Sequence, residues 1–177
     1  WENYRTRWSY VGCGAALAMM GRYDEALAWW DTGEEAFKTL IPGEATHAMR
    51  GEVYRQQGAL DKALTHLKYA VDVGPKRMGA WVNLALTYFA MNRIQEGEHA
   101  AENFYDGCPV LVREAHRALK LKPQMVPDSP NRIPVLEKSL ELLAGNRSSH
   151  LLTFYDADGE WRVMTFAGYP PCWTRLG

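Results

Sequence analysis

A ladder of small, aromatic and large apolar residues marks the segment 43–75, with steps of three and four residues within each of two runs. The ladder consists of Gly51, Tyr54, Gly58, Ala63, Leu67, Ala70 and Pro75. These spacings place residues on one face of a helix, and small residues on that face let two helices approach closely. Gly58 lies midway, where a turn is needed, and the proline ends the second run. The segment therefore predicts a helix–turn–helix unit.

The same ladder recurs on both sides of this segment. Positions 34 residues later hold Tyr88, Gly97, Phe104 and Pro109, and positions 37 residues earlier hold Gly14, Gly21, Ala26 and Trp30. The turn segments 21–26, 58–63 and 92–97 align as well. Self-similarity at a fixed period indicates a repeat architecture, in which each unit buries its apolar face against the next.

On these residues the chain resembles the tetratricopeptide repeat family over positions 7–109, about three repeats. The resemblance implies a mainly α fold, a right-handed helical solenoid. Some positions depart from the family pattern. The usual tryptophan at the fourth position is Tyr10, His47 and Trp81, and the usual apolar seventh position is Arg50 in the second repeat.

The sequence after the third repeat divides into several short elements. An amphipathic segment at 110–122 predicts a capping helix, so that residues 1–122 form the repeats and their cap. Four prolines between 123 and 134 indicate a stiff connector, assigned to 123–133. The region 134–177 is predicted to hold a helix at 134–144, a β-hairpin and an irregular tail.

The predicted hairpin has strands at about 150–155 and 160–166. Asp158-Gly159 lies between two alternating runs rich in aromatic and β-branched residues, which is a strong hairpin signal. An isolated hairpin is marginally stable in water, so we expect it to need a partner surface. That surface could be the helical body, further strands, or a second copy of the chain in a homo-oligomer.

Composition limits the classes of partner. The formal net charge is −1, and no run of about 18 apolar residues occurs. The sequence therefore favours neither nucleic acid nor a membrane as partner. Three cysteines without paired spacing argue for a reducing, cytoplasmic location, although the chain begins at Trp1 and could be trimmed or processed. No metal-ligand spacing occurs, and we expect no cofactor.

The family resemblance implies a concave groove lined by the first helix of each repeat. Carried over by position, the groove residues are Trp8, Val11, Met19, Glu52, Arg55, Gln56, Val82, Asn83, Leu86 and Phe89. Some family members hold a terminal carboxylate with basic groove residues, but the matching positions here include Val11 and Ala15. The groove is therefore predicted to suit an apolar peptide or helix with a few polar contacts.

Three hypotheses for function follow. The first is a protein–protein interaction module, an adaptor or scaffold that binds a peptide or partner helix in this groove and performs no chemistry. The second is the docking or regulatory part of a larger enzyme whose catalytic portion lies beyond residue 177. The third is an enzyme in its own right, which the sequence does not favour because its five histidines are isolated from one another.

The repeat register can be tested at Tyr54. In this register Tyr54 is the core aromatic residue of the middle repeat. Replacing Tyr54 with alanine should lower the free energy of unfolding by about 3–5 kcal/mol, the usual cost of deleting a core aromatic side chain. Urea denaturation measures this change, and an unaltered midpoint would show that the register is wrong.

Overall fold

Helices make up nearly all of the chain that the structure describes. The structure is a computed structural model that describes residues 7–37 and 43–148, together with backbone segments at 152–155, 161–164 and 173–175. Its helices are α1 (Arg7–Met19), α2 (Tyr23–Ala36), α3 (Glu44–Gln56), α4 (Leu60–Val73), α5 (Met78–Ala90), α6 (Ile94–Gly107), α7 (Pro109–Ala118) and α8 (Arg132–Ser148). A short 3₁₀ helix at Ser129–Asn131 precedes α8.

The first six helices form three consecutive hairpins. Helix α1 packs against α2, α3 against α4, and α5 against α6. The second and third hairpins contact each other through α3, α4 and α5, and the first contacts the second through α3. The predicted helix–turn–helix units are therefore present at all three positions.

The turns inside the hairpins share one backbone conformation. Gly21 and Gly58 have φ of +74°, and Asn92 has φ of +58°. Glycine adopts this left-handed conformation without steric cost, and asparagine tolerates it better than most residues. The three positions are separated by 37 and 34 residues, the intervals of the sequence ladder. The aligned turn segments thus have the same structural role.

The two helices of each hairpin approach most closely at a small residue. A Cβ atom added to Gly14 would overlap the indole of Trp30, and one added to Gly51 would overlap Cγ of Leu67. Trp30 and Leu67 are 1% and 0% exposed, so neither side chain has free space to move into. The third hairpin carries alanine at both corresponding positions, Ala85 and Ala101, and both are buried.

Arg50 links the first repeat to the second. Its guanidinium is buried, and Nη1 donates a hydrogen bond of 2.7 Å to Oδ1 of Asp31 while Nη2 lies 3.1 Å from Oε1 of Glu34. Its Cζ also lies 5.9 Å from the ring centroid of Trp30. Arg50 stands at the seventh position, where the family usually has an apolar residue. Two carboxylates on α2 pair with its buried positive charge.

Helices α7 and α8 differ in extent from the expected ones. The capping helix was expected over 110–122, but α7 ends at Ala118, and Lys120 has φ of +57°. Helix α8 begins at Arg132, inside the predicted connector, and carries Pro134 in its first turn, where a missing N–H costs no helical hydrogen bond.

The chain divides into two compact units at residues 140 and 141. The second unit includes three short strands, β1 (Leu152–Tyr155), β2 (Trp161–Met164) and β3 (Trp173–Arg175), which pair antiparallel in that order. The predicted Asp158-Gly159 turn lies outside the described residues.

Replacing Gly51 with alanine tests the close approach of α3 and α4. Alanine would gain up to about 1 kcal/mol in helix propensity, but overpacking against Leu67 costs about 1–3 kcal/mol. We expect net destabilisation in urea denaturation. Leu67→Ala alone should cost about 2–5 kcal/mol. The double variant should lose less stability than the sum of the two single losses, because the third hairpin packs with alanine at both corresponding positions, Ala85 and Ala101. Simple additivity would show that the two sites do not share this space.

Candidate protein-binding site

The predicted groove positions of the first two repeats are mostly accessible. Met19 is 51% exposed, Gln56 is exposed, and Val11, Glu52 and Arg55 are partly buried. Met19 and Gln56 occupy corresponding positions at the ends of α1 and α3. The side chain of Trp8 lies outside the described residues. Side chains of these two repeats are therefore open to a ligand.

The predicted groove positions of the third repeat are covered. Val82, Asn83 and Leu86 are 0%, 1% and 6% exposed. Phe89 instead packs towards α6, where its ring lies 2.8 Å from the position of a Cβ atom added to Gly97. In this conformation, these four side chains and those of the first two repeats do not form one open surface.

Arg55 connects the accessible and covered parts. Its Nε donates a hydrogen bond of 2.9 Å to Oδ1 of Asn83, whose Nδ2 donates in turn to the carbonyl of Gly79 at 3.0 Å. Burial lowers the pKa of Arg55, and the negative charges of Glu52 and Glu137 offset part of that effect. The guanidinium nonetheless stays charged, because arginine does not deprotonate at neutral pH.

Four aromatic rings contact one another in a row between α3 and α4 in the second repeat. His47 lies between Tyr69 and His66, at centroid distances of 4.2 and 4.9 Å, and Tyr54 stacks on His66 at 5.4 Å. The Nδ1 atoms of the two histidines are 2.9 Å apart, a hydrogen-bond distance that requires one of them to act as the acceptor. Burial lowers the pKa of His47, and burial together with His47 and Arg50 lowers that of His66 to about 4.

Comparison with known families agrees with this geometry. A family model described as tetratricopeptide repeat matches residues 7–32 and 45–68. These segments are tetratricopeptide repeats. They correspond to the first and second hairpins, and the third hairpin follows at the same 34-residue interval. No curated protein sequence matches the chain.

A cavity between the second and third hairpins was not predicted from the sequence. Its volume is about 1030 Å³, and residues of α4, α5 and α6 line it. The lining includes aromatic and charged side chains, among them Lys68, Tyr69, Asp72, Trp81, Tyr88 and Glu96. In the sequence, Trp81 and Tyr88 were recognised only as repeat positions of the third unit. The sequence signal that could have indicated this cavity was Tyr69, an aromatic residue outside the repeat ladder.

Two kinds of feature are absent from the part of the chain that the structure describes. Within 7–37 and 43–148 no three His, Cys, Asp or Glu side chains are grouped so that they could hold a metal ion. In the same part of the chain, no helix combines the length and the hydropathy that crossing a bilayer requires.

The histidine pair predicts a loss of stability in acid. A histidine whose pKa is lower in the folded state takes up protons preferentially when unfolded, so stability is complete above about pH 6.5 and falls as the pH approaches the folded pKa. For His66 that window extends down to about 4. Since the ring is only half-buried, we expect a loss of about 1–2 kcal/mol between pH 7 and 4.5.

Urea denaturation of wild type and His66→Phe at both pH values measures this loss. Phenylalanine keeps an aromatic ring in this row but does not titrate, so its variant should lose less stability than wild type on acidification. His99→Gln, at an exposed histidine of α6, is the matched control and should behave as wild type. Identical pH dependence in all three proteins would contradict the assignment of this loss of stability to His66.

Proposed function

We propose that this chain is a protein-binding adaptor that holds a peptide or partner helix in the concave groove of its tetratricopeptide repeats. Tetratricopeptide repeats generally mediate binding of protein partners. The observation that supports a groove here is the accessibility of Met19 and Gln56, at corresponding positions of two consecutive repeats. An exposed methionine adapts its shape to apolar ligands and is common at binding surfaces.

The polar residues of the second repeat narrow the class of ligand. Arg55 supplies a positive charge beside Glu52 and Gln56, and Val11 adds apolar surface in the first repeat. Because Arg55 is already hydrogen-bonded to Asn83, its orientation is fixed before a ligand arrives, which reduces the entropy cost of binding. A mainly apolar peptide with an acidic side chain near Arg55 fits this surface best.

Selection from a displayed library of random helical peptides tests the proposal. Peptides that bind the full chain should lose at least about tenfold in affinity, or about 1.4 kcal/mol, when Met19→Glu and Gln56→Glu are combined. Ile94→Glu is the matched control, because Ile94 is 49% exposed on α6, close to the 51% of Met19, and should leave affinity unchanged. Isothermal titration calorimetry measures all three proteins. Equal affinity for the double variant and wild type would remove the groove as the binding site.

A further inference from the structure

The first two repeats each contain a pair of rings at the same two positions. In the first repeat, Tyr10 of α1 and Trp29 of α2 have ring centroids 5.5 Å apart, with an angle of 54° between the ring planes. In the second repeat, His47 of α3 and His66 of α4 have centroids 4.9 Å apart, at an angle of 45°. Both members of the second pair follow those of the first by 37 residues, the interval of the sequence ladder. A tilted ring pair is therefore a feature that these two repeats share.

The third repeat keeps one ring of this pair and lacks the other. At an interval of 34 residues after His47 and His66, the chain has Trp81 of α5 and Ala100 of α6. Within the described residues no other aromatic ring contacts that of Trp81, whereas both earlier pairs are in contact. Trp81 and Ala100 both line the cavity between the second and third hairpins. The small alanine side chain therefore leaves space beside the indole that a ring fills in the other two repeats.

The residues that line this cavity divide by exposure into two chemical classes. The buried ones are apolar or aromatic, namely Val71, Leu84, Tyr88 and Ala100. The exposed ones are polar or charged, apart from Pro75. An apolar interior with a few polar groups is typical of ligand sites, and the volume of about 1030 Å³ is at the upper end of their usual range. The cavity therefore has room for a ring together with the atoms that connect it to a longer molecule.

Two aromatic side chains of the cavity are held in place by contacts within the chain. Nε1 of Trp81 donates a hydrogen bond of 2.9 Å to the carbonyl of Pro75. The ring of Tyr69 packs on His47 at a centroid distance of 4.2 Å, so it continues the row of rings from the second repeat to the cavity. Because both rings are oriented before a ligand arrives, a ligand that packs on them pays less entropy to order the site.

We propose that this cavity binds an aromatic side chain of a protein partner, which takes the part that Trp29 and His66 have in the first two repeats. The cavity lies outside the predicted groove positions, so this inference goes beyond the proposed function and does not rest on it. An aromatic ring gains from ring–ring contact in addition to the burial of its apolar area, which an aliphatic side chain does not. Because the polar lining residues are exposed, the cavity is open to solvent on their side, and the partner's main chain can lie there.

Titration of N-acetyl-L-tryptophanamide into the isotope-labelled full chain, followed by NMR spectroscopy, tests the proposal. The indole N–H signal of Trp81, identified by its loss in Trp81→Phe, should shift with a Kd on the order of 1 mM, the scale for so small a ligand. N-acetyl-L-leucinamide should bind about three- to tenfold more weakly, because leucine has no ring. Equal binding of the two compounds, or no shift with the tryptophan compound, would overturn the proposal.

Variants of the lining residues locate the binding. Ala100→Trp supplies the ring from within the chain, as Trp29 does, and should weaken binding at least about tenfold. Ala28→Trp makes the same change at an exposed site of α2 and should match wild type. If Ala100→Trp fails to fold, Ala100→His repeats His66, and Trp81→Leu removes the ring on which the ligand packs, with an expected loss of about three- to tenfold. For Trp81→Leu the amide signal of Ala100 reports binding. Unchanged affinity in any of these three cavity variants that folds would count against the proposal.

Free indole distinguishes a side chain from a small aromatic molecule as the ligand. A site for a side chain leaves room for the attached main chain, so N-acetyl-L-tryptophanamide should bind at least as tightly as indole. If indole binds more tightly by about tenfold or more, the cavity is a site for a free aromatic compound and the proposed protein partner is wrong.

Discussion

The close approach of two helix backbones at a small residue is the contact on which this structure depends. Where α3 meets α4, Gly51 leaves room for Leu67, and where α1 meets α2, Gly14 leaves room for the larger Trp30. The third hairpin has two alanines at these places. Each pair divides the available volume differently, so the helices pack tightly in all three repeats without identical side chains.

The repeats were predictable from sequence because their constraints are local. Each turn needs a residue with positive φ, which favours glycine or asparagine, as at Gly21, Gly58 and Asn92. These residues lie at a fixed distance in sequence from the helix contacts, so they recur with the period of the repeat. Helix α8 carries no such local constraint. An apolar stripe at 134–144 predicts that α8 is buried, but only tertiary contacts such as that of Arg132 with Glu98 indicate against which helices.

The candidate site shows the same division between local and tertiary information. Position within the repeat identified Arg55 and Asn83 as neighbours of the groove, yet it gave no reason to expect a hydrogen bond between them or the burial of Val82 and Leu86. Residues that depart from the family pattern were recognised in sequence, but their partners were not. Arg50 is matched by Asp31, and His47 by His66, each from another helix. Both of these departures from the family pattern therefore have a polar partner on a neighbouring helix.

The enclosure of α5 makes the stability of the solenoid uneven along its length. In a linear array each repeat is supported only by its neighbours, and terminal units open most readily. Nine buried residues in α5, against three in α2, put the strongest protection near the C-terminal side of the array. Backbone amides of α5 should thus exchange with solvent only through global unfolding, while those of α1 and α2 exchange through local opening. Among the three repeats, the first is then the one that can adjust its shape at the lowest free-energy cost.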